Sequence, residues 1–473
     1  MTTKNRILIC LSLLSAFLIQ SCSPVNVSHG DVKNISQQQQ WLSKAYRYDK
    51  NGWIFLHIEG APFERGFQRG YLTANEIDEL YKTLGYLQEF ETGRDVNFFV
   101  KASAKLFKDK VSKEYVEEMQ GMTAGARAAG KEITYDQMLF MNGFIDIAWY
   151  WYPQEKDRIR DDGPGCSAFI AAGDATKDGT IVMAHNTWDS YAGMRSGNII
   201  VDIVPEKGNR ILMQSWGPCI YSTMDFFITS AGLIGTETTI AEFKGFDAKG
   251  TPVFERTRKA MQYAKDINEW AKIMIDKNSG AYANSWLIGD INTGEIARLE
   301  LGLKYHNLEK KTNGYFTGAN VAEDLKILRI ETSASYDDLR NRCVAKRVRW
   351  EQLMKENYGK ITADTAKKLL ADHYDVYLKK ENPSSRTICG HFELDDGSVP
   401  MSAAPYRPSG TVDGKVVDSR MTKDWQFWAK WGSSCDRAFD ANEFLAEHPQ
   451  FNRLKGYLPD LPAQPWTIFP ANK

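Results

Sequence analysis

The sequence carries almost no net charge: 59 lysines and arginines face 60 acidic residues. That balance gives no electrostatic case for nucleic acid or an acidic partner, and no basic cluster with interleaved aromatics appears. Beyond the first two dozen residues no apolar run is long enough to span a bilayer. There is no internal repeat and no long low-complexity linker after residue 40. Histidine is scarce, 7 in 473 residues, and no CxxC occurs. The cysteines lack zinc-site spacing and the histidines lie scattered, so no metal or other cofactor is implied.

What is present begins with a leader. Lys4 and Arg6 precede the apolar stretch 7–19, followed by Ile19-Gln20-Ser21-Cys22. That is the layout of a signal peptide, 1–21. A cysteine behind a small residue resembles a bacterial lipobox, although Gln20 is not a small residue. The expectation is an exported bacterial lipoprotein, lipidated at Cys22 and anchored at the outer membrane on its periplasmic or surface face, with plain secretion second. Residues 22–45 then read as a solvated tether. An exported chain tends to pair its thiols. Once Cys10 and Cys22 are set aside, Cys166, Cys219, Cys343, Cys389 and Cys435 remain. Five is an odd number, and Cys166 is the candidate for a free thiol.

The region 63–99 has a helical period, and 113–128 and 135–150 add helices. The pattern changes at the charged and glycine-rich RIRDDGPG. From Cys166 the chain reads as strands at 167–172, 180–185, 198–204, 210–216, 226–240, 285–290 and 295–301, joined by turn signals. A helix is expected over 254–277, with more between 334 and 379. Helices before and after a large antiparallel sheet give a layered α+β fold.

A thiol opens the first of these strands, directly behind Gly163-Pro164-Gly165. Buried cysteine is often just a small hydrophobe. Pairing the first two strands about a loop at 173–179 sets Cys166 opposite about Asn186. This brings His185, Asn186 and Asp189 to the same end of the sheet. Each has an ordinary explanation: a satisfied core histidine, a loop-bonding amide, a turn cap or partner of Arg195.

Four segments in order change that balance: GCSAFI at 165–170, AHNTWDSY at 184–191, STMDFFITSAGLIGTETTI at 222–240 and NSGAYANSWLIGD at 278–290. With a weaker match in GTVDGKVVDSRM and FWAKWG, they resemble the phospholipase B-like family of N-terminal-nucleophile hydrolases. GAPFERGFQRG at 60–70 and the cysteine strand are also similar to the wider group of penicillin acyltransferases and bile-salt hydrolases. The resemblance implies a four-layer αββα sandwich and self-cleavage between Gly165 and Cys166. The helical fragment 46–165 would stay associated with the catalytic fragment 166–473 as one composite domain. Ala281 and Ala283 depart from the asparagine-rich form of the fourth segment, which bears on the substrate pocket.

The chemistry follows from residue type. A thiol is mostly protonated near neutral pH and needs a base. A new N-terminus supplies an α-amine with a pKa of about 7.7–8.0 on the same residue. Asn284 is the side-chain candidate for the oxyanion. Thr238 and Thr239 offer a hydroxyl or backbone donor, or are plain strand formers. His185 would orient the amine, and Asp189 would hold His185 or receive the amine. Trp188, Trp216 and Trp286 would line an acyl pocket, or belong to the core. Arg420 would bind a carboxylate or phosphate. The expected activity is hydrolysis of an acyl ester or amide, with a phospholipid or N-acyl amide as small-molecule substrate. The alternatives are an acyltransferase of the same fold and a lipid-anchored binding protein on an inactive hydrolase fold. A papain-like protease fits poorly, because its cysteine opens a helix.

Overall fold

The computed structural model describes residues 29–156, 165–401 and 404–471. The leader, with Cys22, and most of the RIRDDGPG segment lie outside the described residues. Residues expected to form a solvated tether instead include a helix, His29–Leu42. No described helix is long and apolar enough to cross a membrane.

Two sheets form the centre. The larger has nine strands in the order Tyr46–Lys50, Trp53–Gly60, Ile199–Pro205, Ile211–Ser215, Phe226–Thr229, Leu233–Thr239, Asn284–Asp290, Glu295–Leu301 and His306–Lys311. Only the pairing of Trp53–Gly60 with Ile199–Pro205 is parallel. The smaller, fully antiparallel sheet runs Gly314–Gly318, Cys166–Gly173, Gly179–Ser190, Ser409–Asp418, Phe427–Trp431 and Thr467–Phe469. The sheets pack closely: a Cβ on Gly289 would meet Ile170, Ile234 and Ile181 at 3.0–3.3 Å. Helices Val253–Tyr263 and Ile267–Ile275 cover the larger sheet, and Arg342–Glu356 and Ala363–Leu370 the smaller. This is the α+β, four-layer αββα sandwich. With both faces covered, the strand Cys166–Gly173 is apolar almost throughout instead of alternating.

The GAPFERGFQRG segment has a packing explanation. Helix Pro62–Leu72 lies against Lys113–Ala128 so closely that a Cβ on Gly66 would fall 2.0 Å from Glu118 O, and one on Gly121 2.2 Å from Phe63 O. Larger side chains at either position would push the helices apart. Between them, buried Glu118 pairs with Arg65 at 2.6 Å and with Arg258 at 3.1 Å.

Some expected elements are divided. The 63–99 region falls in Pro62–Leu72, Ala74–Thr92 and the start of Val96–Phe107, with Gly93 at φ 68° ending the second helix. The single expected strand 226–240 is a hairpin turning at Gly232, φ 85°. The helix expected at 254–277 is interrupted, and the chain restarts where the Asp266 side chain accepts from Glu269 N. The thiols do not pair: all five described cysteines are free.

Candidate active site

Cys166 is the first residue of its strand and is 4% exposed. The register is Cys166 opposite Thr187, Ser167 opposite Asn186 and Ala168 opposite His185. This is one residue from the expected pairing, because an irregularity between Ala171 and Gly173 shifts the ladder near the turn. Side chains alternate along strands. His185 and Thr187 therefore share the thiol's face, and Asn186 takes the other. There Asn186 Nδ2 donates to Leu370 O and Ile388 O, and its Oδ1 accepts from Ser434 Oγ.

The backbone of Cys166 is held at both ends. Its N–H donates to Asn320 Oδ1 (3.1 Å), and its carbonyl accepts from Lys346 Nζ (2.8 Å). Lys346 also donates to Asn320 Oδ1 (2.5 Å), and Asn320 Nδ2 donates to Thr239 O (2.8 Å). Burial lowers the Lys346 pKa to about 8. Gly165 is sterically required, since a Cβ there would lie 2.1 Å from the pinned Asn320 Oδ1. Neither Asn320 nor Lys346 emerges from the sequence, because both lie outside the four motif segments.

The thiol borders a small chamber with Thr187, Trp188, Asp225, Thr239 and Tyr282. Tyr282 OH donates to Asp225 Oδ2 (3.3 Å). The sulfur and the carboxylates of Asp225 and Glu237 lie within 4.8 Å of one another. Burial first, then Glu237 and Asp225, pushes the Cys166 thiol well above its ordinary pKa. Burial likewise raises Asp225 to about 7. With its peptide bond intact, Cys166 is a protonated, weak nucleophile. Asp225 and Tyr282 lie inside recognised segments, but nothing in their spacing marked them.

The other expected residues divide. His185 is fully buried, and burial and Lys415 hold its pKa well below 6.5, so the ring is neutral. Its ring nitrogens lack well-formed hydrogen bonds. Asn284 is buried opposite Thr239, with both amide atoms lacking a partner. Thr238 is buried against Gly318, and its hydroxyl also lacks a partner. Asp189 lines the chamber, while Arg195 pairs with Glu79 (2.5 Å). Trp286 packs on Trp270, with ring centroids 5.2 Å apart, and does not border the chamber. Arg420 is also outside the site: its short helix Ser419–Lys423 turns outward, leaving the side chain 91% exposed beside Asp424.

Trp149, Asp189 and Trp216 are shared between the chamber and a groove of about 540 Å³. Leu84, Leu87, Phe144, Ala148 and Tyr152 make much of that groove apolar, and Arg407 and Arg453 add charge. A larger groove of about 1050 Å³, around Lys110, Glu255 and Lys272, shares no residue with the chamber.

A family model described as Phospholipase B matches residues 45–301. Human phospholipase B-like 1 is 24% identical over 477 residues, covering 84% of this chain and 82% of that one. The Caenorhabditis elegans putative phospholipase B-like 1 is 24% identical over 466 residues, covering 83% and 80%. An uncharacterized Archaeoglobus fulgidus protein is 28% identical over 256 residues; the match covers 51% of this chain and 42% of that protein's length. Among solved structures, a variant of conjugated bile acid hydrolase from Clostridium perfringens aligns with TM-score 0.33 and 12% identity, covering 65% of this chain and 98% of that one. These relatives overturn the location read from the leader. The matches covering most of this chain are animal phospholipase B-like proteins, not bacterial outer-membrane lipoproteins. With its model matched over more than half of the sequence, the chain belongs to the phospholipase B family of hydrolases.

Proposed function

We propose that the chain cleaves itself between Gly165 and Cys166, and that the freed Cys166 hydrolyses acyl esters or amides through a thioester. The observation carrying this reading is the double anchoring of Cys166 by Asn320 and Lys346 while its thiol borders a chamber that shares Trp149, Asp189 and Trp216 with a partly apolar groove. A merely space-filling cysteine has no need of a buried ammonium on its carbonyl.

Cleavage turns the amide N–H on Asn320 Oδ1 into an α-amine held at the same place. The amine takes the thiol proton, and the thiolate attacks the acyl carbonyl. Asn284 Nδ2, with a donor from Thr238 or Thr239, receives the oxyanion. The amine then protonates the departing alcohol or amine, leaving a thioester on Cys166. Water attacks that thioester, and free acid and thiol are restored. Neutral His185 positions the thiol's face of the hairpin, and Asp189 and Trp188 border the entering acyl group. Trp286 and Arg420 have no part. Strands Tyr46–Lys50 and Trp53–Gly60 lie in the same sheet as Ile199–Pro205, which supports association of fragments 46–165 and 166–473 as one composite domain.

The test is a panel of glycerophospholipids and N-acyl amides, with acid quenching and peptide mass analysis. An acyl adduct on Cys166 with release of free acid is expected. Turnover that persists in Cys166→Ala would overturn the reading. Turnover only with an added amine would redirect it to acyl transfer.

A further inference from the structure

Four side chains with metal-binding atoms, from three separate segments, converge near the turn that supports Trp188. His373 follows helix Ala363–Leu370, Cys389 and His391 flank Gly390, and Cys435 lies beyond strand Phe427–Trp431. Their ligand atoms all lie within 4.8 Å of one another. His391 Nε2 is 3.5 Å from Cys389 Sγ and 3.3 Å from Cys435 Sγ. Around a tetrahedral zinc with Zn–S about 2.3 Å and Zn–N about 2.05 Å, sulfur and nitrogen neighbours stand about 3.5 Å apart. We propose that His373, Cys389, His391 and Cys435 form a structural zinc site.

Three further observations support a metal. His391 Nδ1 is 2.8 Å from Glu393 Oε1, and Tyr191 OH donates to Glu393 Oε2 (2.8 Å). A carboxylate accepting the Nδ1 proton fixes the tautomer and leaves the Nε2 lone pair for an ion. His373 Nε2 is buried without a well-formed hydrogen bond, so a donor atom is available on the fourth residue. Two thiolates and two neutral imidazoles form a donor set that suits zinc, and four protein ligands leave no open position, as in structural sites. A Cys389–Cys435 disulfide would use the sulfurs but give no reason for both imidazoles to converge on them. On binding, Zn²⁺ replaces the two thiol protons, leaving a neutral centre.

The sequence hid this cluster because its members come from separate loops without paired spacing. Their sequence neighbours show what the ion would secure. Ile388 O accepts from Trp188 Nε1 (3.2 Å) and Asn186 Nδ2 (3.1 Å), and Ser434 Oγ donates to Asn186 Oδ1 (2.7 Å). Residues adjacent to Cys389 and Cys435 thus hold the strand that pairs with Cys166 and the tryptophan bordering its chamber. The site ties the three segments together against the outer face of that hairpin, where Leu370 O also accepts from Asn186 Nδ2 (2.8 Å).

The full chain, produced with zinc in the medium and dialysed, is expected to retain about one zinc per chain. Replacement by cobalt should give the visible bands of a tetrahedral thiolate complex. Cys389→Ser and His373→Ala should each lose zinc, and Cys343→Ser should keep it. Chelation should lower the wild-type melting temperature. The cobalt spectrum of the wild type does not depend on any variant folding. Absence of thiolate-to-cobalt bands, zinc retained unchanged by both cluster variants, or a Cys389–Cys435 disulfide in the non-reduced mass with no zinc would each overturn the proposal.

Discussion

Two buried polar clusters differ in how completely their atoms are paired. In the helical layer, Glu118 meets Arg65 and Arg258, and Arg258 also donates to Ile220 O (2.6 Å) and Gln262 Oε1 (3.0 Å). At the Cys166 end of the sheets, the side-chain polar atoms of His185, Thr238 and Asn284 lack well-formed partners. Burying polar groups without partners costs stability. The helical cluster has the completeness of a structural device. The second leaves buried polar atoms unpaired, and the proposed function assigns those of Asn284 and Thr238 to the oxyanion.

Substitutions can break that contrast. The largest expected effect is on the helical side. Glu118→Gln leaves buried Arg258 without its carboxylate partner and Arg65 with Glu114 alone, and should lower unfolding free energy by about 3 kcal/mol, measured in urea, with activity per folded molecule retained. Asn284→Ala should do the reverse. It should lower kcat by about 10²–10³-fold as an oxyanion donor is lost, while the denaturation midpoint hardly moves. A loss of stability matching that of Glu118→Gln would place Asn284 among the structural groups.

A pH titration probes a third buried group, Asp146, whose carboxylate accepts from Val253 N (3.2 Å) and Ser279 Oγ (3.4 Å). Burial raises Asp146 from 3.8 to about 7. Between these values the folded state binds a proton that the unfolded state has released. Asp146 therefore makes stability fall as pH rises through about 4–7. Asp146→Asn should remove that fall, giving a flatter stability curve over the same range. The smallest effect belongs to Arg420→Ala. That side chain is 91% exposed, so stability should change by no more than about 0.5 kcal/mol, with KM unchanged.

Local pattern made much of the fold legible. The glycine-rich breaker, the apolar run after Cys166 and the turn at Asp178-Gly179 marked the hairpin on which the site is built. The ordered motif segments implied the sandwich. The exact partner of Cys166 was not legible, because one irregularity between Ala171 and Gly173 moves the register and exchanges the faces of His185 and Asn186. Asn320 and Lys346 were invisible for another reason. They reach Cys166 from 154 and 180 residues away, through tertiary packing that local periodicity does not encode. Trp188 and Trp286 looked equivalent in sequence. Only packing shows that the first borders the chamber and the second meets Trp270.

The most direct test of the central claim is the intact mass of the denatured wild type and Cys166→Ala, with N-terminal sequencing of every fragment. Two wild-type fragments, the larger beginning Cys-Ser-Ala-Phe, and a single uncut mutant chain are predicted. An active wild type that remains one chain would contradict the account, because Cys166 would then have no free amine to serve as its base.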